Sequence, residues 1–129
     1  MPLKINYLEG NGIEVLATGV VNGYEIIKAY QSILETKHSQ SLLYKILDKS
    51  SCTEFAVTSD DIQTMAKLSR QIAKVNPGII IAIVESKTLQ FSLTKLWQAH
   101  IKKDNIPSHS FYMRNEALRW IEDHIKLTV

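Results

Sequence analysis

The pattern of apolar and polar positions switches along the chain between short β-rich runs and longer stretches of helical period. Leu3 to Leu8 and Ile13 to Val21 read as two strands separated by Gly10-Asn11-Gly12. Glycine and asparagine accept positive φ readily, so this spacing predicts an antiparallel hairpin. The period then lengthens. Asn22 is placed to cap a helix with Glu25 three residues on, the spacing of a capping box. Ile26, Ile27, Tyr30, Ile33 and Leu34 follow as one apolar helical face.

Ser41 to Leu47 reads as a third strand, followed by a polar loop over Asp48-Lys49-Ser50-Ser51-Cys52-Thr53-Glu54. Thr58, Ser59, Asp60 and Asp61 open a second helix, their acidic groups meeting the positive end of its dipole. Asn76-Pro77-Gly78 ends it. Ile79 to Val84 is continuously apolar and β-branched, the signature of a central strand covered on both faces. Ser86 is placed to cap a third helix with the stripe Leu89, Leu93, Leu96, Trp97 and Ile101. Pro107 to Met113 reads as a fifth strand. Asn115 to Lys126 reads as a fourth helix, buried through Ala117, Leu118, Ile121 and Ile125. The order ββαβαβαβα predicts an α/β fold: one layered domain over residues 1–129, with a mixed sheet, an N-terminal antiparallel hairpin and helices packed on the sheet.

Three stretches resemble the SpoIIAA-like (STAS/CRAL-TRIO-like) family of small bacterial proteins. These are Ile81-Ala82-Ile83-Val84 followed by Ser86, the helix carrying Leu96-Trp97, and the closing Phe111-Tyr112-Met113-Arg114-Asn115-Glu116-Ala117-Leu118-Arg119-Trp120-Ile121. The last is similar to the family's strand, short polar turn and Glu-Ala-Leu-x-Trp-Leu. The hairpin with Gly19 near its end fits as well, and the likeness extends over nearly the whole chain. The resemblance implies a SpoIIAA-like fold and a regulatory or protein-interaction role. It also implies a phosphorylatable serine in the family's Asp-Ser-Ser/Thr-Gly setting, here Ser50 or Ser51. The sequence departs from that setting: Lys49 separates Asp48 from the serines, no glycine follows, and the helix starts downstream at Thr58-Ser59. The plain reading of the same stretch is a loop of turn-forming residues. The CRAL-TRIO side of the family implies a small hydrophobic ligand or lipid, with Phe55, Phe91 and Phe111 available to line a pocket between helix and sheet.

Composition narrows the classes. A chain of 129 residues is the length of one domain, and 45% apolar with 22% charged residues is an ordinary globular balance. The net charge of +2 is too small for a general nucleic-acid or anionic-membrane binder. Cys52 is the single cysteine, which excludes an internal disulfide. The N-terminus, with Lys4, Asn6 and Glu9, does not read as a signal peptide. The longest apolar run, Ile79 to Val84, is far short of the roughly 20 residues that span a bilayer. A cytoplasmic location without stable membrane insertion is expected.

Open α/β sheets bind ligands beyond the carboxyl ends of their parallel strands. Those ends carry Asp48 with Ser50 and Ser51, Glu85 with Ser86, and Met113 with Arg114. Asp48, Glu85, Ser86 and Arg114 therefore form a candidate polar ligand site, although the same residues read more simply as an edge salt-bridge network with helix caps. Lys67, Arg70 and Lys74 on the second helix, and Lys95, Lys102 and Lys103 on the third, read as solvated faces. Phe91 falls out of phase with its helical stripe and is a candidate interaction surface, including one between two copies of the chain. No nucleophile elbow, phosphate loop or dinucleotide loop is present, and His38, His100, His109 and His124 lack metal-ligand spacing. No metal, cofactor or catalytic residue is expected.

The leading expectation is a non-enzymatic regulatory or interaction domain that binds a protein partner or itself as a homodimer. The alternative is a carrier of a small hydrophobic ligand. An enzyme using Asp48, Glu85 and Arg114 is a third reading.

Overall fold

The computed structural model describes residues 3–36, 41–86 and 92–128. The hairpin forms as its turn residues dictate. Strand β1 (Leu3–Leu8) pairs antiparallel with β2 (Gly12–Asn22), with Leu3 opposite Ala17 and Leu8 opposite Gly12. Gly10 and Asn11 take φ of 74° and 61° in the turn. Gly12 opens β2, and a Cβ there would collide with the ring of Tyr44.

Each parallel strand then follows its neighbour through a helix. The order is α1 (Gly23–Glu35), β3 (Tyr44–Ala56), α2 (Ser59–Val75), β4 (Ile80–Val84), α3 (Ser92–Lys102), β5 (Ser108–Phe111) and α4 (Arg114–Thr128). The element order is the one read from the sequence. The first two helix starts are closed by capping boxes. The Glu25 N–H donates to Asn22 Oδ1 at 2.9 Å and the Asn22 N–H to Glu25 Oε1 at 3.1 Å. Thr58 and Asp61 do the same at the start of α2, at 2.9 and 3.1 Å. At the other end of α2, Asn76 Oδ1 accepts from the Leu42 N–H at 2.7 Å, fixing the entry to β3.

The five strands lie in the order β1-β2-β3-β4-β5, antiparallel only between β1 and β2. Successive right-handed crossovers in one direction put α1, α2 and α3 on one face. α1 packs on α2 and α2 on α3, while α4 packs on β3, β4 and β5 from the other face. Alternation along β4 shows the two cores directly. Ile81 and Ile83 join the cluster of Ile26, Tyr30, Met65 and Trp97. Ile80, Ala82 and Val84 join that of Tyr44, Ala117 and Ile121. β4 is thus covered on both faces, as its apolar run requires.

Several boundaries differ from expectation. β3 does not stop at Leu47. It runs to Ala56, and the stretch read as a polar loop is strand, paired with β2 from Thr18–Ser51 to Asn22–Ala56. β3 carries two extra residues relative to β2, between Leu16 and Thr18 and between Gly19 and Val20, so the ribbon bulges twice. β5 spans only Ser108–Phe111. Leu96 and Leu118 are exposed, whereas Trp97, Ile101, Ala117 and Ile121 are buried. The expected cap at Ser86 concerns residues 87–91, which lie outside the described residues, as does Phe91 itself.

Candidate functional site

Two polar clusters lie on opposite faces of the sheet, around the carboxyl end of β4. On the α4 face, Glu14 comes from β2, Asp48 from β3 and Arg114 from the first position of α4. The Arg114 guanidinium is ion-paired with Glu14 and lies 3.6 Å from Asp48. Asn6 Nδ2 donates to Glu14 Oε1 at 3.0 Å. Asp48 Oδ1 accepts from the Ser50 N–H at 2.9 Å and from Ser50 Oγ at 2.6 Å, across the first bulge. The two carboxylate side chains are buried, at 5% exposure each, against 39% for Arg114. Only the guanidinium is open to an incoming group, and both carboxylates already hold it.

On the other face, Lys49 Nζ pairs with Glu85 Oε2 at 3.3 Å, both side chains almost fully buried, and lies 4.8 Å from the Phe55 ring centroid. Four residues earlier, and so on the same face, Lys45 Nζ sits 3.5 Å from the Tyr30 ring centroid and 5.5 Å from that of Trp97. The Lys45 ammonium, Tyr30 hydroxyl and Trp97 N–H are buried without a hydrogen-bond partner. Burial pushes Lys45 well below the ordinary lysine range and Tyr30 above the ordinary phenol range. Burial also lowers Lys49, opposed by the neighbouring Glu85 carboxylate. The Cys52 thiol is pushed up, chiefly by burial. The remaining space beside Lys49, Phe55 and Trp97 is about 10 Å³, room for no more than one water.

Asp48, Glu85 and Arg114 therefore do not form one cluster. Asp48 and Arg114 meet, but Glu85 points to the opposite face, because β4 side chains alternate and Glu85 falls in phase with Ile81 and Ile83. Ser86 is buried at the end of β4. Ser50 and Ser51 are exposed strand residues, not members of a loop before a helix. Phe55 packs with the helical-face core and Phe111 with the α4 core, so these two rings do not line one pocket.

Glu14, Lys45 and Lys49 were not singled out by their sequence. The available signal was a charge inside an apolar run: Ile13-Glu14-Val15 and Tyr44-Lys45-Ile46 each place an ionisable group in a strand that is otherwise core. Among the described residues, no group of three or more His, Cys, Asp or Glu is arranged to hold a metal ion. No helix of the described residues is long and apolar enough to cross a membrane.

Two surface grooves flank the hairpin. One, of about 280 Å³, lies between β1 and α1 and is lined by Leu3, Ile5, Tyr24, Lys28 and Ala29 among others. The other, of about 550 Å³, lies between the hairpin turn and α4, over Leu43, Tyr44, Leu118 and Ile121, with Glu9 and Glu122 at its rim. No protein-family model matches the chain, and no curated protein matches it.

Proposed function

We propose that the chain is a non-enzymatic regulatory or protein-interaction domain of SpoIIAA-like type, acting through its surface. The observation that carries this reading is the contrast between interior and exterior. Beside the buried Lys49, Phe55 and Trp97 only about 10 Å³ remains open, whereas large apolar side chains stand in solvent around the hairpin. Tyr24 is 72% exposed, Tyr7 49% and Leu43 41%. Isolated exposed apolar residues need no explanation, but Tyr24 lines the apolar groove between β1 and α1, and Leu43 the one between the hairpin turn and α4. The charged groups at the strand ends are engaged with one another, which suits a structural role better than turnover. A cytoplasmic setting accords with the single buried cysteine.

The carrier reading rests on the two apolar grooves, about 280 Å³ between β1 and α1 and about 550 Å³ between the hairpin turn and α4, volumes close to or within those of small-ligand sites. Native mass spectrometry separates the two readings. An interaction domain gives stoichiometric protein complexes and no adduct. A carrier gives a native mass above the 14.6 kDa chain by a small increment that disappears on denaturation.

A further inference from the structure

Among the described residues β1 is an open edge of the sheet, pairing only with β2 on its inner side. Sheet edges expose unpaired N–H and C=O groups, and proteins usually blunt them with prolines, bulges or several charges. β1 has none of these devices beyond Lys4: Leu3–Leu8 contains no proline, and its ladder to β2 runs without a register shift.

We propose that β1 pairs antiparallel with β1 of a second copy of the chain, about a two-fold axis through Ile5, joining two sheets into one. The proposal rests on the reading of the chain as an interaction domain and names its partner as itself. A two-fold axis normal to the sheet keeps each side chain on its own face, which restricts the registers to those centred on a residue. Centring on Lys4 sets two ammonium groups opposite each other. Centring on Asn6 sets Leu3 against Glu9 and Lys4 against Leu8. Centring on Ile5 sets Ile5 against Ile5 and Leu3 against Tyr7 on the α1 face, and Lys4 against Asn6 on the α4 face. Only this last register matches apolar with apolar and polar with polar along the strand.

Its consequences fit features on both faces. On the α1 face, Leu3 lines the groove beside the exposed Tyr24, so the half-exposed Tyr7 ring of the second copy covers that groove. On the α4 face, Asn6 donates to Glu14, and Glu14 and Asp48 share the single guanidinium of Arg114. Lys4 of the second copy enters the same cross-strand row beside Asn6. At strand spacings of about 4.8 Å its side chain extends toward the Glu14 carboxylate. Two carboxylates then face two cations.

The test uses the full chain. Light scattering on wild-type protein at roughly 100 µM, a concentration that populates even a micromolar dimer, is expected to give twice the chain mass. Ile5→Cys places two thiols at the axis, where opposed strand residues fall within disulfide reach, and mild oxidation is expected to give a reducible dimer band. Lys4→Glu, at an exposed position, sets a carboxylate beside Glu14 and is expected to weaken the dimer at least about tenfold with the fold intact by circular dichroism. A monomeric wild type would overturn the proposal and leave the interaction reading to a different partner. A dimer that survives Lys4→Glu and does not cross-link through Ile5→Cys also overturns it, placing the self-contact elsewhere. Should Ile5→Cys fail to fold, Lys4→Glu alone decides.

Discussion

Arg114, the first residue of α4, is ion-paired with Glu14, a buried residue of β2, across the α4 face of the sheet. The pair ties the last helix to the second strand, although the packing contacts of α4 fall on β3, β4 and β5. Asp48 on the intervening strand β3 shares the same guanidinium. One side chain thus spans the sheet from its C-terminal helix to its N-terminal hairpin.

Removing that side chain leaves two buried carboxylates side by side without their common cation. Arg114→Ala is expected to destabilise the fold by about 1–3 kcal/mol, less than a fully buried pair would lose, because the guanidinium is partly solvated. Urea unfolding measures it. In a double-mutant cycle, Glu14→Gln should absorb much of the Arg114→Ala cost. Additive losses would mean that the pair contributes no coupling.

The Lys49–Glu85 pair on the other face is more deeply enclosed. Glu85→Ala removes the carboxylate paired with the buried Lys49 ammonium beside Phe55, Met65 and Trp97, and should cost about 3–5 kcal/mol. Replacing both residues together, Lys49→Met with Glu85→Leu, should recover most of that loss, since an apolar pair of similar volume carries no desolvation penalty. Thermal midpoints of the three variants order the outcome, with the double variant nearest the wild type.

The sequence is legible where one signal acts alone. The Asn22–Glu25 and Thr58–Asp61 caps, the Gly-Asn turn and the uninterrupted Ile79–Val84 run each form what their local chemistry dictates. It misleads where tertiary contacts override polarity. The stretch from Asp48 to Glu54 carries loop-forming residues, yet it is strand: Asp48 and Lys49 are satisfied by Arg114 and Glu85, and Cys52 is buried. The same fact splits the expected edge cluster. Asp48 lies within β3 and Glu85 directly follows β4, and their phases send them to opposite faces. That phase is fixed by the β3–β4 register, in which Asp48 meets Val84, and composition carries no trace of it.

Gly12 and Tyr44 form a second checkable contact. The Tyr44 ring lies where a Gly12 Cβ would project, and its hydroxyl donates to the Glu9 carbonyl at 2.5 Å, pinning the hairpin turn to the start of β3. Gly12→Ala should force the ring out and cost about 1–3 kcal/mol. Tyr44→Phe keeps the ring and loses only the hydrogen bond, about 1 kcal/mol. A Gly12→Ala variant as stable as the wild type would contradict this packing. Hydrogen exchange at the Leu43 N–H, which donates to Asn11 O at 2.8 Å, reports directly on the turn.

Lys45 gives the fold a pH dependence of definite sign. Its ammonium is buried against Tyr30 and Trp97 without a hydrogen-bond partner, and burial holds it well below the ordinary lysine range. An unfolded lysine titrates near pH 10.4. As pH falls below that value, the unfolded chain takes up a proton that the folded chain refuses. Stability therefore falls with decreasing pH until the depressed folded value is reached, and the deficit is constant below it. Lys49, also lowered, contributes in the same sense. Lys45→Met fills the same space with a thioether that packs well against aromatic rings. It should raise stability at pH 7 by about 1–3 kcal/mol. It should also flatten the rise in stability between neutral and alkaline pH, with little difference from wild type above pH ~10.5. Urea unfolding of both proteins from pH 6 to 10 makes the comparison. A variant less stable than wild type at pH 7 would mean that the contact between Lys45 and the Tyr30 ring outweighs the desolvation of the ammonium.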